Sequence, residues 1–281
     1  MYSKTALKIY ALKKRGVIKS RSGFWKAYSD KNAVAKTDID TAEAERELNE
    51  KNYSLICAFD DDFPVIGNEV KSADKPYLLA YKGDISLIKS RAKNVAVVGT
   101  LYSDRDIASR ERKIVELLSE NGINIVSGLA KGCDTVAHEV CVKGNGKTVA
   151  ILPSTLDNIY PKENVGLSEK IIKSGGLVLT EYIDEPKNKY EAVGRFIERD
   201  RLQAMFSDSV ILISSYRQSE GDSGSRHAMN KAVEYGIKRF VMYNDDADSD
   251  NPLFGLNKDL VGKGEKSLTG KSIKEIIGSQ F

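Results

Sequence analysis

Residues 123–138 of this 281-residue chain, INIVSGLAKGCDTVAH, hold the residue types that bind anions. A β-branched run (Ile123, Ile125, Val126) enters a small-residue turn built from Ser127, Gly128 and Gly132, with Lys131 beside it. A helix is expected from about Asp134, with His138 on its second turn. A strand that breaks into a glycine turn and then a helix aims free backbone N–H groups at one point, where the helix dipole also favours negative charge. That is chemistry for phosphate. Ser223-Gly224-Ser225, followed by Arg226, repeats the signal at a second helix start. Arg199 and Arg201 in FIERDR (196–201) add guanidinium groups suited to phosphate, placed by the pattern near the start of a helix over 198–207. The competing reading pairs those arginines with Glu198, Asp200 or Glu181.

No catalytic set accompanies these turns. GxSxG, a Walker lysine–serine turn and GxGxxG are all missing, and the turn after the first core strand is Gly99-Thr100-Leu101. His138 is a base by type, but its place under the turn favours packing. His227 is open between phosphate contact and solvent. Three cysteines (Cys57, Cys133, Cys141) at no metal-like spacing, with only two histidines, argue against a zinc site and fit a reducing cytoplasm. No metal and no cofactor are expected, and the protein is read as a non-enzyme.

The elements that must position these residues alternate. Strands are expected at 94–99, 123–127, 147–152, 177–180, 209–214 and 239–243, with helices at 104–120, 134–143, 163–174, 198–207 and 225–236 between them. Continuous apolar strands alternating with helices imply an α/β fold, a doubly wound and mostly parallel sheet covered on both faces. Ligands of such sheets bind beyond the carboxyl ends of the strands, where all these turns fall. Residues 53–90 hold two short strand-like runs, YSLICAF and PYLLAY, read either as a small subdomain or as an extension of the sheet.

Residues 1–52 read as a helical, basic region. Residues 1–36 carry ten Lys and Arg against one acid, Asp30, while the whole chain is only +3. Tyr2, Tyr10, Phe24, Trp25 and Tyr28 lie among those cations. Basic residues interleaved with aromatics suit nucleic acid, and equally suit a solvated helical face over a small aromatic core. No run of about 18 apolar residues exists, so no membrane contact is expected.

In this order, the segments VAVVGT, IVSGLAKGCDTVAH, TVAILPSTLDNIYPKEN, GGLVLTEY, FIERDRLQAMFSDSVILIS and SGS resemble the DprA/Smf family of bacterial DNA-processing proteins, over roughly residues 55–265. The resemblance implies a Rossmann-like domain at 53–265 with its core at 94–245, and a tail at 266–281 too short for the family's frequent winged helix. It implies single-stranded DNA binding, loading of the recombinase RecA, a role in transformation, and a homodimer. Ser127, Gly128, Gly132, Asp134 and His138 match the family's turn, with Asp134 and His138 as its support. Phe196, Arg199 and Arg201 match its Phe-Pro-x-Arg-Asn-Arg motif, and Ser223, Gly224 and Ser225 its Ser-Gly-Ser turn.

Several positions depart from that pattern. Leu101 stands where the family's first turn has an arginine, leaving Gly99, Thr100 and, four residues on, Arg105 to serve there. Ile197 replaces proline, Asp200 replaces asparagine, and Arg226 replaces an apolar residue. Arg199→Ala is expected to weaken DNA binding with little loss of stability. The alternative function is a sensor or processor of a single nucleotide, for example in phage defence. The Pro-Gly-Gly-x-Gly-Thr turn of related phosphoribohydrolases has only a poor match in Glu220–Ser225, which disfavours hydrolysis. Base-specific readout is not expected.

Overall fold

The computed structural model describes residues 1–278; the last three residues of the expected tail lie outside them. Four short helices come first: α1 (Lys4–Lys14), α2 (Arg21–Ala27), α3 (Lys31–Ala35) and α4 (Ala42–Asn49). Then follow β1 (Ser54–Cys57), β2 (Leu78–Gly83), β3 (Asn94–Val98), α5 (Arg105–Glu120), β4 (Asn124–Ser127), α6 (Cys133–Lys143) and β5 (Thr148–Ile151). The chain continues through α7 (Val165–Lys173), β6 (Leu177–Thr180), α8 (Lys189–Met205), β7 (Ser209–Leu212), α9 (Arg226–Glu234) and β8 (Lys238–Val241). It ends with α10 (Asp245–Asp248), α11 (Gly255–Gly262), β9 (Lys266–Ser267) and α12 (Gly270–Gly278).

The nine strands form one sheet in the order β1-β2-β6-β5-β4-β3-β7-β8-β9. From β6 to β9 all neighbours are parallel. β3 to β7 are almost wholly buried, as strands covered on both faces must be, while β8 is buried only in its second half. From β3 the chain winds outward through β4, β5 and β6, then returns to place β7 on the other side of β3. That reversal makes a switch point, and the turns leaving β3, β4 and β7 open at one end of the sheet.

The run 53–90 is an extension of this sheet. β1 pairs antiparallel with β2, and β2 antiparallel with β6. The four N-terminal helices pack on the same unit: Ile9, Tyr10, Leu12 and Phe24 share an apolar cluster with Leu78, Ala80, Leu152 and Val178 of the sheet. Phe24 stacks on Tyr77 at 4.3 Å between ring centroids, and the Trp25 indole N–H donates to the Lys75 carbonyl. These aromatics therefore make a core and not a stacking platform for bases. Much of the basic charge is likewise held internally. Lys13 donates to the Glu181 carbonyl, Lys14 pairs with Asp184, and Arg21 pairs with Glu181 and Glu198.

α8 is the largest departure from the expected elements. The pattern places a helix at 198–207, but it begins at Lys189, where the Asn188 side chain accepts from the Glu191 N–H and caps it. Asparagine followed three residues later by glutamate is a start signal, here lying in a polar stretch with little apolar periodicity. Arg199 and Arg201 consequently sit in the second half of the helix, remote from its positive end.

Candidate nucleic-acid interface

The turn after β4 is built by close approach. Gly132 has φ +72°, and a Cβ there would stand 2.3 Å from the Thr100 carbonyl oxygen, so glycine alone lets this turn sit against the one after β3. The Cys133 N–H donates to that same carbonyl. Ser127 is fully buried, and its hydroxyl donates to Val97 O at 2.7 Å, tying β4 to β3. The N–H groups of Gly128 and Ala130 both donate to Asp134 Oδ2, at 3.1 and 3.2 Å. Amides that looked open to an outside anion thus hold a carboxylate of the chain's own helix. Burial raises the Asp134 carboxyl from its ordinary value, against the opposing charge of Arg199. Asn164, which the sequence does not single out, clamps the turn by donating to Leu129 O, Ala130 O and the Thr135 hydroxyl.

His138 lies beneath this turn with no exposure. The Thr148 hydroxyl donates to Ile125 O, so the contact between His138 Nδ1 and Thr148 Oγ1, at 2.7 Å, is one in which the ring donates. Nε2 is buried with no partner, and burial, then the Arg199 charge, push the imidazole down to about 3. A buried neutral ring has no access to a substrate, which leaves packing as its role.

The two arginines paired in the sequence part company. Arg199 is 4% exposed, donates through Nη1 to Ile151 O at 2.7 Å, and reaches Asp200 Oδ1 through Nε at 3.1 Å. It also explains Gly128, since a Cβ there would lie 1.6 Å from Arg199 Nη1. Arg201 is 1% exposed and faces elsewhere: it grips Glu181 with both terminal nitrogens, at 2.7 and 2.5 Å, and donates from Nε to Asp74 O. It lines no part of the cleft described next, and its surroundings make it a structural cation. The competing reading, arginines paired with Asp200 and Glu181, describes the resting geometry. Burial also overturns the expectation that Arg199→Ala costs little stability.

A cavity of about 220 Å³ opens at the switch point, lined among others by Gly99, Leu101, Asp134, Phe196, Arg199 and Ser225. Asp200, Gln203, Asp222 and Gly224 complete much of its wall. Arg199 is the one cation among these lining residues, against three carboxylates. Other expected cations stand outside it. Lys131 is half exposed and paired with Glu163 at 2.6 Å. Arg105 is exposed at the first residue of α5. Arg226 begins α9 and donates to the carbonyl and hydroxyl oxygens of Ser223. Thr100 is buried, its hydroxyl turned to Tyr102 O, while the Ser225 hydroxyl is buried with no partner.

A second cavity, about 340 Å³, adjoins the first across Phe196 and is lined by Pro153, Tyr160, Lys162, Lys189 and Val193. Tyr160 meets Phe196 edge to face at 5.6 Å, and Tyr160, Val193 and Ile197 are exposed. An exposed aromatic beside lysines suits stacked bases and their phosphates. Tyr160 was legible only as one aromatic in a loop; nothing in its spacing signals that α8 brings Phe196 against it.

No groups of His, Cys, Asp and Glu that could hold a metal ion occur among the described residues, and none of their helices is long and apolar enough to cross a membrane. The fold and its turns define a Rossmann-like α/β protein whose polar loops converge at the sheet's switch point. More narrowly, the chain belongs to the DNA recombination-mediator protein A family, whose model matches residues 54–277. DNA processing protein DprA of Streptococcus pneumoniae is 36% identical over 205 residues, 73% of this chain and 67% of that protein. Protein Smf of Synechocystis is 33% identical over 195 residues, 69% of this chain and 48% of that protein. The matched region thus spans about half the length of the Smf relatives. Among solved structures, DprA of S. pneumoniae superposes with a TM-score of 0.69 at 28% identity, covering 95% of this chain and 91% of that one. DNA processing protein A of Helicobacter pylori, described for its single-stranded DNA binding mode, superposes with a TM-score of 0.64 at 28% identity, covering 82% and 96%.

Proposed function

We propose that the protein binds single-stranded DNA across the switch-point cleft and the ledge beside it, as a binding protein and not an enzyme. The observation that carries this reading is the Tyr160–Phe196 ledge running directly into the cavity that holds Arg199. Bases stack on the ledge. Phosphates run past the cleft, with Gly99, Thr100, Ser127, Gly128, Gly132, Ser223, Gly224 and Ser225 shaping its turns. Arg105, Lys131 and Arg226 supply positive charge around it. Family membership supports the reading, as does the H. pylori relative's binding of single strands. RecA as partner on the same strand, a role in transformation and a homodimer are proposed with it; the family's recombination-mediator description fits a recombinase partner.

A gel-shift titration with oligo-dT at two salt concentrations tests the reading. Affinity for the single strand should exceed that for duplex and fall with salt, by about 0.7 in log–log slope for each phosphate engaged. Equal affinity for duplex, or binding unchanged in both Arg199→Lys and Lys131→Ala, would remove the proposed site. A single nucleotide as ligand is favoured by one observation, the small size of the first cavity, and opposed by its three carboxylates. A thermal shift with one nucleotide and none with oligonucleotides would establish it instead.

A further inference from the structure

Asp222 holds a place where an outside anion would be expected. Its Oδ2 accepts the Leu101 N–H at 2.7 Å, and its Oδ1 accepts the Gly224 N–H at 3.3 Å. One carboxylate therefore bridges the turn after β3 and the turn that leads into α9. It makes no ion pair among the described residues, and the same cavity holds Asp134 and Asp200. Two neutral amides hold this carboxylate, and an anionic oxygen of any source meets the same N–H geometry. The loop that carries Asp222 is exposed from Gln218 to Gly221, so the carboxylate can leave without unpacking the core.

We infer that the Leu101 N–H is a phosphate seat filled at rest by the chain's own Asp222 carboxylate, which a DNA phosphate must displace. Asp222 then sets how tightly the strand is held. The inference rests on the single-strand reading and sharpens it: Asp222 places an internal competitor on the turn after β3.

The test compares the full chain with Asp222→Asn, which keeps an acceptor for the Leu101 N–H and removes the charge. Fluorescence anisotropy with oligo-dT at several salt concentrations is the readout. Asp222→Asn should bind roughly threefold to tenfold tighter, the size of one charge–amide contact, with a log–log salt slope steeper by about 0.7 for the added phosphate. Asp106→Asn, which removes a charge near the same turn but outside the cleft, should not reproduce the gain. Unchanged or weaker binding at an unchanged slope would overturn the inference while leaving the single-strand reading intact, and so would an equal gain in Asp106→Asn. If neither protein binds any oligonucleotide, the single-strand reading falls and inorganic phosphate decides the seat. A rise in melting temperature with phosphate in Asp222→Asn alone supports it; no rise in either protein overturns it.

Discussion

Asp200 carries a stability cost that depends on pH, and Asp200→Asn should expose it. Asp200 is 9% exposed, and its Oδ1 accepts from Arg199 Nε at 3.1 Å and from Gln203 Nε2 at 3.0 Å. Burial dominates, with the Asp134 charge adding to it and Arg199 opposing, so the carboxyl is raised to about 7. In the unfolded chain the same group titrates near about 3.9. Between those values the folded protein keeps a proton that the unfolded chain releases. The stability this proton confers is present at low pH and is lost as pH rises toward 7. One proton costs ~1.4 kcal/mol per pH unit, so the loss from pH 5 to pH 7 is roughly 2 kcal/mol. An asparagine at 200 does not titrate, and it can still accept from Arg199 through its carbonyl. The quantity to measure is the unfolding free energy of Asp200→Asn minus that of the wild type, from urea titrations at pH 5, 6, 7 and 8. Groups that titrate alike in both proteins cancel in that difference. It should move in favour of the variant by roughly 2 kcal/mol between pH 5 and pH 7, then level off. A difference that is flat across the series would show that Asp200 ionises normally in the fold, and would refute burial as the force that raises it.

His138 should give the opposite slope. Its folded value of about 3 lies below the unfolded value of about 6.5, so the stability of the neutral ring is complete above 6.5 and is lost as pH falls; relative to His138→Gln, the wild type should lose roughly 2 kcal/mol between pH 7 and pH 5 in the same assay. Arg201→Met removes the partner that grips the buried Glu181, and chemical denaturation should show a loss of about 3–5 kcal/mol, while folded protein keeps its affinity for oligo-dT. Gly128→Ala drives a methyl into Arg199 Nη1 and should cost about 1–3 kcal/mol in the same titration, together with weaker oligo-dT binding, because the guanidinium must move.

The alternating strands and helices were legible because buried parallel strands are continuous apolar runs, and VAVV, VAIL and VILI each became a central strand. Strand order was not legible, since nothing in residues 53–90 tells an added antiparallel pair from a separate unit. That distinction lies in Val178–Thr180 of β6, which gives β2 an edge to pair with, far away in sequence. Within the cleft, residue types were readable but directions were not. Arg199 and Arg201 lie two positions apart, which on a helix places them roughly 200° apart. A shared role was therefore excluded once α8 was known to run through both. The N-terminal aromatics looked alike in sequence whether they face solvent or core, and only the surface they meet, Tyr77 with Leu78 and Ala80, separates the two.

The glycine turns show why an anion motif and an anion site are different claims. A turn of this kind always has N–H groups to satisfy, because a buried unpaired donor is costly. Here Asp134 answers Gly128 and Ala130, and Asp222 answers Leu101 and Gly224. The two carboxylates are not equivalent. Asp134 is buried in the first turn of α6, where the helix dipole holds its charge, and it faces Arg199; removing it would undo the turn. Asp222 is half-buried at the end of an exposed loop segment, with no cation on it, and can be displaced. The same hydrogen-bond chemistry therefore makes one carboxylate part of the fold and the other a competitor for the ligand. What separates them is how much structure must move for each to leave.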